Sequence, residues 1–384
     1  MTLEVKSPIS RNRAEYEGCA TWNTPRGVSS CHVLFRAFGD AYFRRENVRR
    51  ATFSFLRLIV ASLVKSRRGE RINCMSDMPR TVTLRIKNWR DFTKVLYVMR
   101  GGTWLYRGQE NAEWLLQSSL DRELKERPID VPAESERSSI DLFRANSKLL
   151  GYSWESDIDA LIAMQHHEAK TRLMDFSTSL MVALFFAFEE QHLKATERAI
   201  FAVSFNALCM SDPLRLRYEK YKMADKLRIL LSERIKLGRG RSILVEDVDF
   251  RKFVSATAND MIRSGCDEEG ILPLYTAANN KRQLAQAGVQ LMPFSFRPFV
   301  ENLAVALEID NIKEIDNPSV AVSDFSHLPI DKVPDQTVFI KMVFDSSMER
   351  DAWDILDQAN INPFTIYPDL IGLARSLQHN SGRK

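Results

Sequence analysis

Residues 180–188 read Leu-Met-Val-Ala-Leu-Phe-Phe-Ala-Phe, a run without one polar side chain. A surface helix keeps a wet face, and this run has none, so it is expected as a helix buried on all sides. The stretch before it, from Thr171 to Ser179, is polar: it carries Arg172, Asp175 and three consecutive hydroxyls, Ser177, Thr178 and Ser179. One hydroxyl is needed as the N-cap, because the N–H groups of the first turn have no acceptor within the helix. The cap does not account for the other two hydroxyls, nor for Arg172 and Asp175. A helix start is also a natural anion site, and groups held on a rigid element suit a binding pocket. Two readings stay open: a capped core helix with a local Arg172–Asp175 pair, or the wall of a pocket.

Enclosing such a helix takes a substantial core. The chain has 384 residues, 45% of them hydrophobic and 27% charged, enough for roughly two or three domains. Its net charge of +4 is unevenly spread: residues 1–74 hold 14 Lys/Arg and 6 Asp/Glu, a net of +8, which leaves −4 for the remainder. The body therefore offers no electrostatic case for tight nucleic-acid binding. Nucleic acid is expected as a partner only through the basic head. That head has the apolar stretch 51–64 between basic flanks and is read in three ways. It is an amphipathic segment touching a membrane or nucleic acid, a small helical appendage, or an over-extended start before Met75 or Met78. Five cysteines, Cys19, Cys31, Cys74, Cys209 and Cys266, are widely spaced without a CxxC. This disfavours a disulfide framework or a zinc ribbon. No apolar run approaches the ~18–20 residues of a membrane span, and the N-terminus has no signal-peptide core. The expected location is cytoplasmic.

From about residue 80 strands and helices follow without strict alternation. Residues 81–86, 198–205 and 337–344 read as strands, and 101–109 as a turn, short strand and polar exit. Residues 89–99, 121–150 (broken at 127–135), 154–167 and 214–237 read as helices. Residues 280–296 read as a short helix passing into a strand, and 346–361 as a helix capped by Ser346 or Ser347. The tail 379–384 reads as frayed. This mixture favours an α+β fold, a mixed sheet with packed helices, over a doubly wound α/β fold. The expected organisation is a 1–74 extension and an 81–375 body.

Polar groups punctuate this body. Arg107 ends an apolar strand and is followed by Gly108, which would let a ligand approach the backbone, and a guanidinium fork suits phosphate or carboxylate. Ile158, Leu161, Ile162 and Gln165 share one helical stripe, so Gln165 continues an inward face and needs buried partners. His166 and His167 diverge by about 100° on a helix, which makes a shared metal ion unfavourable; no metal site is expected. Arg282 and Gln286 share a short helix face, with Gly288 as its stop.

In this order the segments resemble the FRG domain family: YRGQ at 106–109, Trp114, MQHHEAKTRLMDFSTSLMVALFFAF at 164–188, and RQLAQAG at 282–288. FTIYPDL at 364–370 is similar to the family's closing stretch. Glu168 stands where the family has Gly after the two histidines, and Met174 where it has Leu. A looser similarity links the strand-end Arg and the Ser-Thr-Ser to ADP-ribosyltransferases. It implies that Arg107 holds NAD phosphates and that Ser177, Thr178 and Ser179 organise a nicotinamide pocket. That likeness also calls for a late Glu to stabilise the ribosyl cation; here the late motif supplies Gln286, which carries no charge.

The resemblances imply Arg107 and Gln286 as catalytic candidates. They imply Arg107, Gln109, Gln165, His166, His167, Arg172, Asp175, Ser177, Thr178 and Ser179 as binding candidates. The expected ligand is NAD, as substrate, or a related nucleotide. The alternatives are a non-enzymatic module recognising a nucleotide, nucleic acid or protein, and a purely structural buried network.

Overall fold

The computed structural model describes residues 79–100, 103–189, 197–220, 248–274, 281–318, 321–322 and 336–381. The expectations for residues 1–74, for the helix beyond 220 and for the last three residues lie outside the described residues. The elements run β1 (Thr81–Ile86), α1 (Trp89–Met99), β2 (Trp104–Gln109), α2 (Ser119–Glu126), α3 (Pro132–Ser147), α4 (Asp157–His166), β3 (Met174–Ser177) and α5 (Leu180–Phe188). They continue β4 (Arg198–Ser204), α6 (Phe205–Met210), α7 (Asp212–Lys220), α8 (Val248–Ser264), β5 (Ile271–Leu274), α9 (Lys281–Ala285) and β6 (Gly288–Pro293). The last are α10 (Phe299–Ala306), α11 (Lys313–Asp316), β7 (Ala321–Val322), β8 (Phe339–Phe344), α12 (Glu349–Gln358), α13 (Pro363–Ile366) and α14 (Leu370–Ser381).

All the strands join one mixed sheet in the order β5-β6-β3-β2-β4-β8-β1-β7. Among the described strands the parallel pairs are β1 with β8 and β1 with β7; the other pairs are antiparallel. The fold is α+β. Period-two alternation divides the central strands between two cores. Leu105, Phe201 and Val343 face a core built with α3, α4, α6, α8 and α10. Tyr106, Ile200, Ala202 and Met342 face a second core with α1, α5 and α12. Helices thus cover both faces.

Helix α5 has seven buried side chains, and Met181 and Phe186 also pack against the second core. Ser179 is its N-cap, its hydroxyl accepting from the Val182 N–H at 3.4 Å. Each large apolar side chain so buried contributes about 1.5–3 kcal/mol. Gly108 lines the cleft and has a further role that the sequence did not indicate: it admits the helix. A Cβ there would stand 2.0 Å from the Ala183 carbonyl oxygen and 2.7 Å from the Ala187 nitrogen. The glycine is what allows α5 to lie directly on β2.

Other local expectations change. Met174–Ser177 is a strand, β3, and not part of a polar turn. Asp345, not Ser346 or Ser347, caps the turn before α12, its carboxylate accepting from the Ser347 N–H at 2.9 Å. The C-terminal helix α14 continues to Ser381 where fraying was expected. After α9 the left-handed residue is Ala287, at φ 47°, and Gly288 already belongs to β6. Among the described residues, no helix is long and apolar enough to cross a membrane.

One irregularity in the sheet positions the site. Strand β2 pairs with β4 from Trp104↔Ser204 through Gln109↔Ala199. With β3, its other neighbour, it pairs at one register only, Tyr106↔Ser177.

Candidate functional site

Beyond that single register lies a cleft of about 920 Å³, lined by residues 106–110 of β2 and its exit and by Asp175, Phe176 and Ser177 of β3. Its remaining walls come from α4, α9, β6, the end of α5 and the segment after α13. A smaller annex of about 250 Å³, beside the start of α2, shares Arg107, Arg122 and Gln165 with it.

Arg107 projects from β2 and donates from Nη1 to the Asp175 carbonyl oxygen at 2.7 Å. Its Nε is buried and has no partner among the described residues. Burial lowers the pKa of this guanidinium; the Asp175 carboxylate opposes the shift and Arg122 adds to it. An arginine stays charged even so, leaving a half-buried cation at the cleft wall. Arg122, from the annex side, adds a second positive charge.

Six glutamines line the main cleft: Gln109, Gln117, Gln165, Gln283, Gln286 and Gln290. Gln165 sits at the inward end of the α4 stripe and accepts from the Thr171 hydroxyl at 2.5 Å. Gln290 is 4% exposed, and its Nε2 donates to the Asp175 carboxylate at 3.2 Å. The backbone carbonyl of Gln286 accepts from the Ser177 hydroxyl at 2.7 Å. The same Ser177 oxygen receives the Ser179 N–H at 3.0 Å. Ser177 therefore ties the α9–β6 turn to the start of α5 while lining the cleft.

His166 also lines the cleft. Burial, then the positive charges of His167 and Arg282, lower its pKa against the opposing pull of Asp175 and Asp369. Its ring is neutral at neutral pH and able both to donate and to accept. His167 is exposed and closes the helix: α4 ends with Ala169 N–H to Met164 carbonyl at 2.9 Å and Glu168 N–H to Gln165 carbonyl at 3.0 Å. This is a Schellman turn with Glu168 in the left-handed position, φ 66°. Glycine at this position would carry no steric cost.

At the far wall the Tyr367 hydroxyl donates to Glu189 at 2.7 Å, and Arg375 reaches the other oxygen of that carboxylate at 2.7 Å. The Arg282 guanidinium lies 4.3 Å from the centre of the Tyr367 ring. Burial and the Glu189 carboxylate raise the phenol's pKa, so it remains a donor.

The structure brings Arg107, Gln109, Gln165, His166, Asp175, Ser177 and Gln286 to one cleft. It places Arg172 elsewhere. That side chain is 2% exposed and pairs with Glu136 at 2.9 Å. It also donates to the Phe294 carbonyl at 3.0 Å and lies over the Phe296 ring. The anticipated Arg172–Asp175 pair is not formed: Glu136 takes the arginine, and Gln290 takes the aspartate. Ser179 is the cap, and Thr178 joins the α9–β6 turn through its N–H to the Ala287 carbonyl at 3.0 Å. Sequence reasoning did not find Arg122, Glu189, Gln290 or Tyr367. The FTIYPDL stretch carried a signal for Tyr367; nothing marked Arg122 on its charged helix. Among the described residues no group of three or more His, Cys, Asp or Glu could hold a metal ion.

Comparison with curated proteins gives no match, and comparison with solved structures gives none. The likeness to ADP-ribosyltransferases therefore rests on its motifs alone. Residues 102–196, which span β2, α4, β3 and α5, match the family described as FRG domain. This segment supplies the Arg107 wall of the cleft, and over it the chain is similar to the FRG domain family.

Proposed function

We propose that the cleft binds a nucleotide or NAD-like phosphorylated small molecule. The observation that carries this reading is Arg107, a half-buried cation that donates to the Asp175 backbone carbonyl and whose buried Nε has no partner among the described residues. A buried donor left unpaired costs about 1–3 kcal/mol, and a phosphate oxygen would remove that cost while matching the guanidinium geometry. The second cation, Arg122, and the rings of Trp114 and Tyr367 line the same space. A volume near 920 Å³ is large enough for a dinucleotide.

Turnover of NAD, by transfer of ADP-ribose or by hydrolysis, would need a carboxylate facing the positive charge that develops at the sugar. Gln286 provides none, whereas Asp175 and Glu189 are carboxylates on the cleft wall. The test uses the full-length protein at micromolar concentration with NAD, following free nicotinamide and protein mass, beside Arg107→Ala. Nicotinamide release abolished by the substitution supports an NAD-consuming enzyme. A ligand-induced rise in Tm without release supports a binding module. Neither release nor a Tm rise would remove NAD from consideration.

A further inference from the structure

Gln109 and Gln290 are the most enclosed glutamines of the cleft, 8% and 4% exposed. In each, the amide orientation follows from chemistry. Gln109 Nε2 faces the Leu115 carbonyl oxygen at 3.4 Å, and Gln290 Nε2 faces the Asp175 carboxylate at 3.2 Å. Both partners are acceptors only, so the nitrogen must be the end that faces them and the oxygen must be the free end. Both Oε1 atoms are buried and have no partner among the described residues. Two enclosed acceptors thus belong to residues that line one cleft, on strands from opposite sides of the β2–β3 divergence.

We infer that Gln109 and Gln290 select a ligand whose ring carries N–H donors, an exocyclic amino or carboxamide group, while Arg107 holds its phosphate. This rests on the proposed nucleotide-binding role of the cleft and adds which heterocycles it accepts. The two demands have opposite polarity: the guanidinium asks for an acceptor and the glutamine oxygens ask for donors. An aminopurine or nicotinamide nucleotide offers both. Replacing its amino group by hydrogen removes the donor, and replacing its carboxamide by a carboxylate sets acceptor against acceptor; either change leaves the buried oxygens unpaired.

The experiment measures Kd by calorimetry on the full chain for two matched pairs. These are AMP against purine riboside 5′-monophosphate, and NAD against nicotinic acid adenine dinucleotide. The expected result is a preference of about tenfold or more for the N–H-bearing member of at least one pair. Gln109→Leu or Gln290→Leu should reduce that preference while phosphate binding persists; Gln→Met at the same positions serves if a Leu variant does not fold. Equal affinity within both pairs overturns the inference but leaves the nucleotide-binding role standing. A preference that no folded variant alters also overturns it. Failure of all four compounds to bind overturns the nucleotide-binding role itself, and the inference with it.

Discussion

Arg172 and Arg107 lie on the two sides of the same motif-bearing segment, and the fold treats them in opposite ways. Arg172 is sealed in the core against α3, with a carboxylate, two carbonyls and an aromatic face around it. Arg107 donates to the Asp175 carbonyl and lines open volume. A buried arginine whose charge is neutralised inside the protein belongs to architecture. One left without an equivalent counter-charge in contact suits the proposed binding of an anion from outside. The residue type is the same, and the packing of the neighbouring helix decides the role.

The largest test of this contrast is to remove each guanidinium. Arg172→Ala strands Glu136 as an uncompensated buried charge and should cost about 3–5 kcal/mol of stability. Arg107→Ala should change stability by about 1 kcal/mol or less while removing ligand binding. Thermal and denaturant unfolding of both variants decides the matter. Equal losses of stability would mean that Arg107 is structural as well. Next in size is Gly108→Ala. Its Cβ would enter the backbone of α5, so we expect a loss of about 3 kcal/mol measured by unfolding. A mild effect would show that the helix can lift from the strand at little cost.

Asp157 provides an intermediate case, an acid held by two arginines that remain partly exposed. Arg263 donates to it, and Arg144 lies at 2.5 Å. The Arg263 hydrogen bond first, and then Arg144, hold its pKa below the ordinary carboxylate value against the opposing effect of burial. The stabilisation is therefore fully present above about pH 4, the unfolded value, and is lost as pH falls through the lower folded value. Asp157→Asn should cost about 2 kcal/mol at pH 7, and the gap from wild type should close in acid. A gap that stays constant down to pH 2 would contradict the ionic origin.

The smallest expected effect is favourable. Glu168→Gly relieves a left-handed residue at the cleft rim and should add about 1 kcal/mol. A rise in Tm with unchanged ligand affinity would place Glu168 outside recognition.

What was legible in the sequence follows from how local each cause is. The α5 run announces a buried helix because nine consecutive residues leave no wet face. β3 was hidden because four residues, two of them polar, carry too little alternation to outweigh the adjacent hydroxyl turn. Gln165 was legible as the polar member of an apolar stripe. Its neighbours in the cleft, Gln290 and Tyr367, reach it through sheet pairing and the return of the C-terminal segment, which no local spacing encodes. Gly108 was read as room for a ligand at the backbone, but the helix that requires it lies some 75 residues further along the chain.

The lone Tyr106↔Ser177 register has a mechanical meaning. It is the narrowest seam in the sheet, with β5-β6-β3 as one leaf and β2-β4-β8-β1-β7 as the other. Each leaf would keep its own ladder if the seam opened. A molecule that touches Arg107 on one leaf and Gln290 on the other acts as a staple between them. Its arrival should be recorded as slowed amide hydrogen exchange along both facing strand edges.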